Sequence, residues 1–253
     1  MLTFIAIACT VVMLGSLALV NRIIYAFSAR LSRALNRKTT TKYSRRLFAI
    51  WALYMDFHFT GEGDHLDELP SQYLVMSNHQ SLMDIPLFMR FFAEPRLRFV
   101  AKAELGRYIP LISLLLRSDK HCLIHRTGSA SQTMRTLDSF AVRIRRNNWL
   151  PVIFPEGTRS VDGTLGTFHA AGFRRLLDKT PLPVVVCALD GGWRVSTLAG
   201  MARNMRGGIY RVKILKIYPA PVSKAEQVFI LEEGKSLIQA QLDEWRAVNP
   251  KDQ

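Results

Sequence analysis

Leu150-Pro151-Val152-Ile153-Phe154-Pro155-Glu156-Gly157-Thr158-Arg159-Ser160 opens on an apolar run and closes on a turn that carries two hydroxyls and a guanidinium. A five-residue run that is apolar without alternation suits a strand buried on both faces of a sheet. The turn after such a strand emerges at the sheet's C-terminal edge, where open α/β folds hold their ligands. Gly157 lets backbone amides approach a ligand closely, Thr158 and Ser160 offer hydroxyls, and Arg159 can grip a phosphate through two parallel bonds. Read alone, the same residues also make an ordinary turn in which Glu156 and Arg159 pair with each other. That reading leaves the two hydroxyls unexplained.

Outward from this stretch, short apolar runs alternate with helical patterns. Strands are expected over residues 73–76, 97–101, 121–125 and 183–189, the last apolar throughout like 150–154. Helices are expected over 84–92, 105–116 (interrupted by Pro110), 129–146 (with Ser129 as its cap) and 168–178. Residues 209–217 alternate apolar and basic, which suits a half-exposed edge or antiparallel strand. Ser223 and Glu226 form a capping-box signature at the start of a C-terminal helix. Strand–helix alternation with buried strands predicts an α/β body with a largely parallel sheet flanked by helices.

A second motif, Asn78-His79-Gln80-Ser81-Leu82-Met83-Asp84, comes directly after the first buried strand. On one continuous helix a five-residue offset would hold His79 and Asp84 about 140° apart, too far round to touch. They meet only if His79 lies in the turn before a helix and Asp84 in its first turn. Pro86 favours that geometry, because proline is tolerated in a first turn and poorly deeper. Asp84 could then fix the imidazole tautomer and leave the other nitrogen to accept a hydroxyl proton. Histidine suits the task because its ordinary pKa of about 6.5 leaves it neutral yet basic at cellular pH. Taken alone, Asp84 also reads as a helix cap and His79 as a turn residue.

Arg126 and Lys102, each at a strand end, are further basic candidates for an anion site; for Lys102 a solvated strand-end charge is the default. His121 and His125 are spaced like metal ligands on a helix, but this segment reads as a strand, where the two lie far apart, and no third ligand is apparent. No metal and no cofactor are expected. Cys9, Cys122 and Cys187 are odd in number and far apart, so no disulfide framework is implied.

At 253 residues the chain can bury one substantial domain and carry an appendage. Residues 1–20 hold no charge, and a helix of that length, about 30 Å, would cross a bilayer's hydrocarbon core. Neither a basic leader nor a small-residue cleavage site is evident, so an uncleaved anchor is the expectation. Formal net charge is +14, and eight of the basic residues fall between Asn21 and Ile50 without an acid among them. Such a flank predicts a cytoplasmic orientation for the remainder of the chain and attraction to anionic headgroups. Ile24, Phe27, Leu31 and Leu35 share one face of a helix with arginines opposite, as on a membrane-surface helix. Residues 47–59 read as a short interfacial or re-entrant helix packed against the first. The glycines at 61 and 63 mark the boundary between a membrane portion, 1–60, and a globular body, 61–253. Nothing resembles a nucleic-acid-binding module, so no nucleic-acid partner is expected.

His79 to Asp84, with Asn78 before and Ser81 within, resembles the His-x4-Asp motif of the glycerolipid acyltransferases, the family that includes 1-acylglycerol-3-phosphate acyltransferases. Phe154 to Ser160 is similar to that family's Glu-Gly-Thr-Arg block, and the resemblance spans roughly residues 73–189. It implies that His79 is the base, that Asp84 is its partner, and that Arg126, Glu156, Gly157 and Arg159 help bind a glycerol phosphate. It implies acyl transfer from an acyl-CoA or acyl carrier protein to a lysophospholipid hydroxyl, at a membrane, without an acyl-enzyme. No Gly-x-Ser-x-Gly elbow and no credible cysteine nucleophile stands against that. Acylation of another lyso-lipid, such as a lyso-ornithine lipid, or a non-enzymatic membrane scaffold are the competing readings.

Overall fold

A computed structural model describes residues 2–63, 65–103, 116, 119–125 and 129–248. The chain begins with two long helices, α1 (Leu2–Phe27) and α2 (Ala29–Met55), followed by β1 (His58–Glu62), β2 (Leu74–Ser77), α3 (Asp84–Phe91) and β3 (Leu97–Lys102). Beyond lie β4 (Cys122–Ile124), α4 (Ala130–Asn147), β5 (Leu150–Ile153), α5 (Ala170–Lys179) and β6 (Val184–Asp190). A short α6 (Leu198–Asn204), β7 (Ile209–Tyr218) and α7 (Lys224–Val248) complete the fold.

The strands form one sheet in the order β1-β7-β6-β2-β5-β3-β4. From β6 to β4 all neighbours are parallel, as the unalternated apolar runs require, and every residue of β2, β5 and β6 is buried. β7 joins β6 antiparallel, and β1 joins β7 parallel. β7 alternates in burial as its sequence does, but β1 covers its outer side, so it is not the edge.

Successive side chains feed opposite faces of the sheet. Val75, Phe99, Val152, Phe154, Val185 and Cys187 pack beneath Leu47, Phe48 and Trp51 of α2 and Leu87 and Phe88 of α3. Met76, Ile153, Val184, Val186 and Ala188 pack on the other face against α4, α5 and α7. On α4 the buried residues Leu137, Phe140, Ala141 and Ile144 fall at helical spacing, and Ser129 caps its start by accepting from Gln132 N at 3.2 Å. Thus the helix after β2 covers one face and the helix after β5 covers the other. Adjacent parallel strands whose connections part in this way open a crevice at their C-terminal ends.

The N-terminal region departs from expectation in two places. The amphipathic face expected across residues 24–35 belongs to two helices, because the chain breaks at Ser28, whose hydroxyl accepts from Leu31 N at 3.2 Å and caps α2. Ile24 and Phe27 end α1, while Leu31 and Leu35 begin α2. The apolar stretch 47–59 is not a separate helix: 47–55 is the last third of α2, packed against α1 with Trp51 Nε1 donating to Thr10 Oγ1 at 3.2 Å. Asp56 ends the helix in a left-handed conformation, φ 53°, which aspartate tolerates better than most residues. The sheet therefore starts at His58, ahead of the glycine pair. The expected helix over 105–116 lies, but for the buried Leu116, outside the described residues.

Candidate active site

The two motifs meet because β2 and β5 are paired, with Val75 opposite Val152 and Met76 opposite Ile153. Three residues beyond that last pair stand His79 and Glu156. His79 N donates to Glu156 Oε1 at 2.7 Å, and Ser160 N donates back to His79 O at 2.8 Å. Asn78 extends the β2–β6 ladder by one step: its side chain accepts from Leu189 N and donates to Leu189 O, both at 2.8 Å. The histidine is thereby fixed on both flanks by strands.

His79 sits in the turn before α3, and Asp84 is its first residue, as the proline at 86 requires. Asp84 is fully buried, whereas the His79 side chain is 18 % exposed. His79 Nδ1 donates to Asp84 Oδ2 at 2.6 Å. Gln80 N, at 2.8 Å, and Ser81 N, at 3.2 Å, donate to the same oxygen, so the carboxylate also closes the turn that leads into the helix. Asp84 is not the cap that the sequence also allowed: Met83 holds that position, without a side-chain bond to the helix's first amides. The ring of Phe154 stacks on the imidazole, centroids 4.2 Å apart and planes 11° off parallel. Nε2 is the nitrogen left to the cleft.

That cleft, about 420 Å³, has two contrasting walls. Gly157, Thr158, Arg159 and Ser160 make the polar wall. Leu82, Ile85, Phe99, Val100, Ala101 and Ile124 make the apolar one, with Lys102 at its rim. Gly157 turns the chain with φ 65°, its N–H donating to Phe154 O at 2.9 Å. Arg159 is exposed and forms no ion pair among the described residues, so the Glu156–Arg159 pairing is not made. A guanidinium held in the open beside a cleft is available to an anion.

Glu156, which the resemblance assigns to the acceptor, is not among the residues that line the cleft. It is buried, and its second oxygen accepts from Gly166 N at 2.9 Å, so both oxygens are spent on backbone amides of the two loops that frame the cleft. Burial pushes its carboxyl above the ordinary range, opposed by those two amides and by His79. It acts on the site as a brace. Arg126 lies outside the described residues.

His121 is buried, and its Nδ1 accepts from Phe99 N at 2.9 Å; burial, with Arg98 nearby, drives its pKa down to about 3. One potential ligand nitrogen is thus occupied, and no group of three His, Cys, Asp or Glu suited to a metal occurs among the described residues. Burial pushes the Cys122 thiol up to about 12 and raises the Cys187 thiol further, so neither offers a thiolate. Sequence reasoning missed the Phe154 platform, the Gly166 contact, and Ser196 and Thr197, which line the far side of the cleft.

An imidazole steadied by a buried carboxylate, next to an open guanidinium and an apolar wall, is an arrangement chemically able to take a proton from a hydroxyl on an anionic, amphiphilic molecule. Residues 62–190, just over half of the chain, match the family model described as Acyltransferase, and the chain belongs to that family. It is similar to the 1-acyl-sn-glycerol-3-phosphate acyltransferase of Cocos nucifera, 33% identical over 142 residues, which cover 55% of this chain and 44% of that one. A chloroplastic 1-acyl-sn-glycerol-3-phosphate acyltransferase of Arabidopsis thaliana is 28% identical over 212 residues, 82% of this chain and 55% of its own. The chain spans about half the length of the curated relatives it matches. Among solved structures, the fold is shared with the 1-acyl-sn-glycerophosphate acyltransferase PlsC of Thermotoga maritima. That alignment has a TM-score of 0.67 and 24% identity, covering 95% of this chain and 94% of that one.

Proposed function

We propose that the protein transfers a fatty acyl group from an acyl thioester, carried on coenzyme A or an acyl carrier protein, to the free hydroxyl of 1-acylglycerol 3-phosphate, giving phosphatidic acid. The observation that carries this reading is the His79–Asp84 pair at 2.6 Å, opening on the same cleft as the exposed Arg159. In this reaction His79 Nε2 takes the hydroxyl proton as the oxygen attacks the thioester carbonyl. The tetrahedral intermediate then collapses, the carbon–sulfur bond breaks, and the imidazolium returns the proton to the departing thiolate. Asp84 holds the Nδ1–H tautomer throughout and stabilises the transient imidazolium. Arg159, with the hydroxyl of Thr158 and the amides around Gly157, grips the headgroup phosphate; Lys102 at the rim of the cleft adds positive charge, Arg126 is the further anchor that the resemblance implies, and Glu156 keeps the cradle in shape. Among the described residues no hydroxyl or thiol is hydrogen-bonded to Nε2, which supports direct transfer over an acyl-enzyme.

The acyl chain has a natural place. Leu82 and Ile85 line both the cleft and a second, almost wholly apolar cavity of about 140 Å³ between α1, α2 and α3. The thioester thus lies beside the base while its methylenes point toward the N-terminal helices. Residues Ile5–Phe27 are long and apolar enough to cross a membrane, with mean hydropathy 2.0. α1 nevertheless packs along α2, which carries seven basic residues between Arg30 and Arg46 that hydrocarbon would not accept. We therefore assign the pair to one leaflet on the cytoplasmic side, with Val11, Val12, Leu19, Val20, Ile23 and Phe27 of α1 exposed to lipid and the exposed Arg30, Lys42, Arg45 and Arg46 of α2 at the headgroups. The net charge of +14 draws the acidic acyl donors to the same surface.

Incubation of the full chain in vesicles with a labelled acyl thioester and a panel of lyso-lipids tests the assignment. Label should enter phosphatidic acid in preference to every product of an acceptor without a phosphate monoester. Preferential acylation of lyso-ornithine lipid, or no transfer to any acceptor, would replace this reading with the corresponding rival.

A further inference from the structure

Tyr210 stands on β7, is fully buried, and lines no part of the cleft, yet its hydroxyl donates to Asp84 Oδ1. The packing around it is built for that contact. Its ring meets Phe57 edge to face, centroids 6.5 Å apart at 89°. The residue beside the phenol oxygen is Gly192, where any Cβ would collide with the hydroxyl. Gly192 N in turn donates to Gln80 Oε1 at 3.0 Å, which ties this wall to the His79 loop.

The two oxygens of Asp84 are served unequally. Oδ2 receives His79 Nδ1, Gln80 N and Ser81 N, whereas among the described residues Oδ1 receives only Ser81 N, at 3.2 Å, besides the phenol. Asp84 has no access to water, so Tyr210 is the main solvation that Oδ1 has. Burial, and then the charges of Asp84 and Asp190, hold the phenol well above its ordinary pKa, so it stays a donor at any working pH.

We propose that Tyr210 is a positioning residue for acyl transfer: by holding Oδ1 it fixes the rotation of the Asp84 carboxylate and disperses its charge, so that Oδ2 stays presented to His79 Nδ1. This inference rests on the assignment of His79 as the base. The charged groups around the contact are Asp84 on α3, Asp190 on β6 (paired with Arg246 of α7 at 3.0 Å), and His79 and Glu156 in the loops after β2 and β5. Without the phenol, the negative charge on Asp84 is less dispersed and the His79–Asp84 pair binds a proton more tightly.

Tyr210→Phe, which keeps the ring packing, is the test, read in the full chain in vesicles. kcat should fall about 10- to 100-fold, the value of a hydrogen bond to a buried carboxylate, with KM for both substrates unchanged. The acidic limb of the kcat/KM profile should move to higher pH by about half a unit or more. A role in packing alone would lower the thermal midpoint and leave that limb in place. An unmoved limb, or a loss expressed in KM, overturns the proposal. If the phenylalanine variant does not fold, 3-fluorotyrosine at position 210 keeps the shape and strengthens the donor; the limb should then move to lower pH, and no movement overturns the proposal. His79→Ala in the same assay separates the two assignments. Retained activity there defeats the choice of base, whereas an inactive His79→Ala beside a Tyr210→Phe that matches the wild type defeats only the role of Tyr210.

Discussion

Asp84→Asn isolates charge from geometry. The asparagine oxygen can replace Oδ2 and accept from His79 Nδ1, Gln80 N and Ser81 N, while its amide group faces Tyr210, whose hydroxyl can turn to accept. The turn before α3 therefore stays closed, and the thermal midpoint should stay within about 3 °C of the wild type, which corresponds to roughly 1 kcal/mol for a chain of this size. Catalysis should not survive as well, because the imidazolium formed as the hydroxyl loses its proton faces a neutral amide. A hydrogen bond between charged partners contributes about 1.5–3 kcal/mol, so kcat should fall about 10- to 150-fold. KM for the lyso-lipid should hold, since Asp84 has no exposed atom. Initial rates with a radiolabelled acyl thioester at saturating acceptor, on protein matched for thermal midpoint, measure this. A loss below threefold, or a loss carried by KM, would refute the argument that Asp84 works through the charge it presents to His79. Asp84→Ala supplies the contrast: it orphans three buried N–H donors and should cost about 3–5 kcal/mol of stability as well.

Arg159→Ala should raise KM for 1-acylglycerol 3-phosphate by about 10- to 100-fold, one charge-assisted phosphate contact, and change KM for an acceptor lacking the phosphate by less than twofold; side-by-side kinetics on the two acceptors decide it. Leu82→Phe, at the neck between cleft and apolar cavity, should shift the donor preference toward shorter acyl chains, read from competition between C12 and C18 thioesters. His121 carries a stability prediction. Its folded pKa, about 3, lies below the unfolded value of about 6.5, so the folded state refuses a proton that the unfolded chain takes. The stability is whole above pH 6.5 and is lost on acidification, by about 2 kcal/mol at pH 5. His121→Asn, which can still accept from Phe99 N, should flatten that acid dependence in melts between pH 7 and 5; an equally steep loss in the variant would contradict it.

The strands were legible because a sheet buried on both faces demands runs without alternation, and β5 and β6 satisfy that demand residue by residue. The His79–Asp84 geometry was legible too, since the proline at 86 leaves one place for the helix to begin. The convergence of the two motifs was not, because it depends on the pairing of Val75 with Val152 across 77 residues of chain. Tyr210 was hidden for the same reason: its alternating strand announces burial but not which carboxylate the hydroxyl will find. Glu156 entered the candidate site through the resemblance alone; its bonds from His79 N and Gly166 N depend on how two loops meet, which the sequence does not show. β1 was lost inside an apolar stretch whose break depends on one left-handed aspartate.

The most direct test of the base is His79→Ala in the purified, membrane-reconstituted chain, with acyl transfer to 1-acylglycerol 3-phosphate followed by product mass. Transfer should fall by at least about 10²–10⁴-fold, the contribution of a positioned general base, while vesicle binding stays as in the wild type. Transfer within tenfold of the wild type would mean that another group removes the hydroxyl proton.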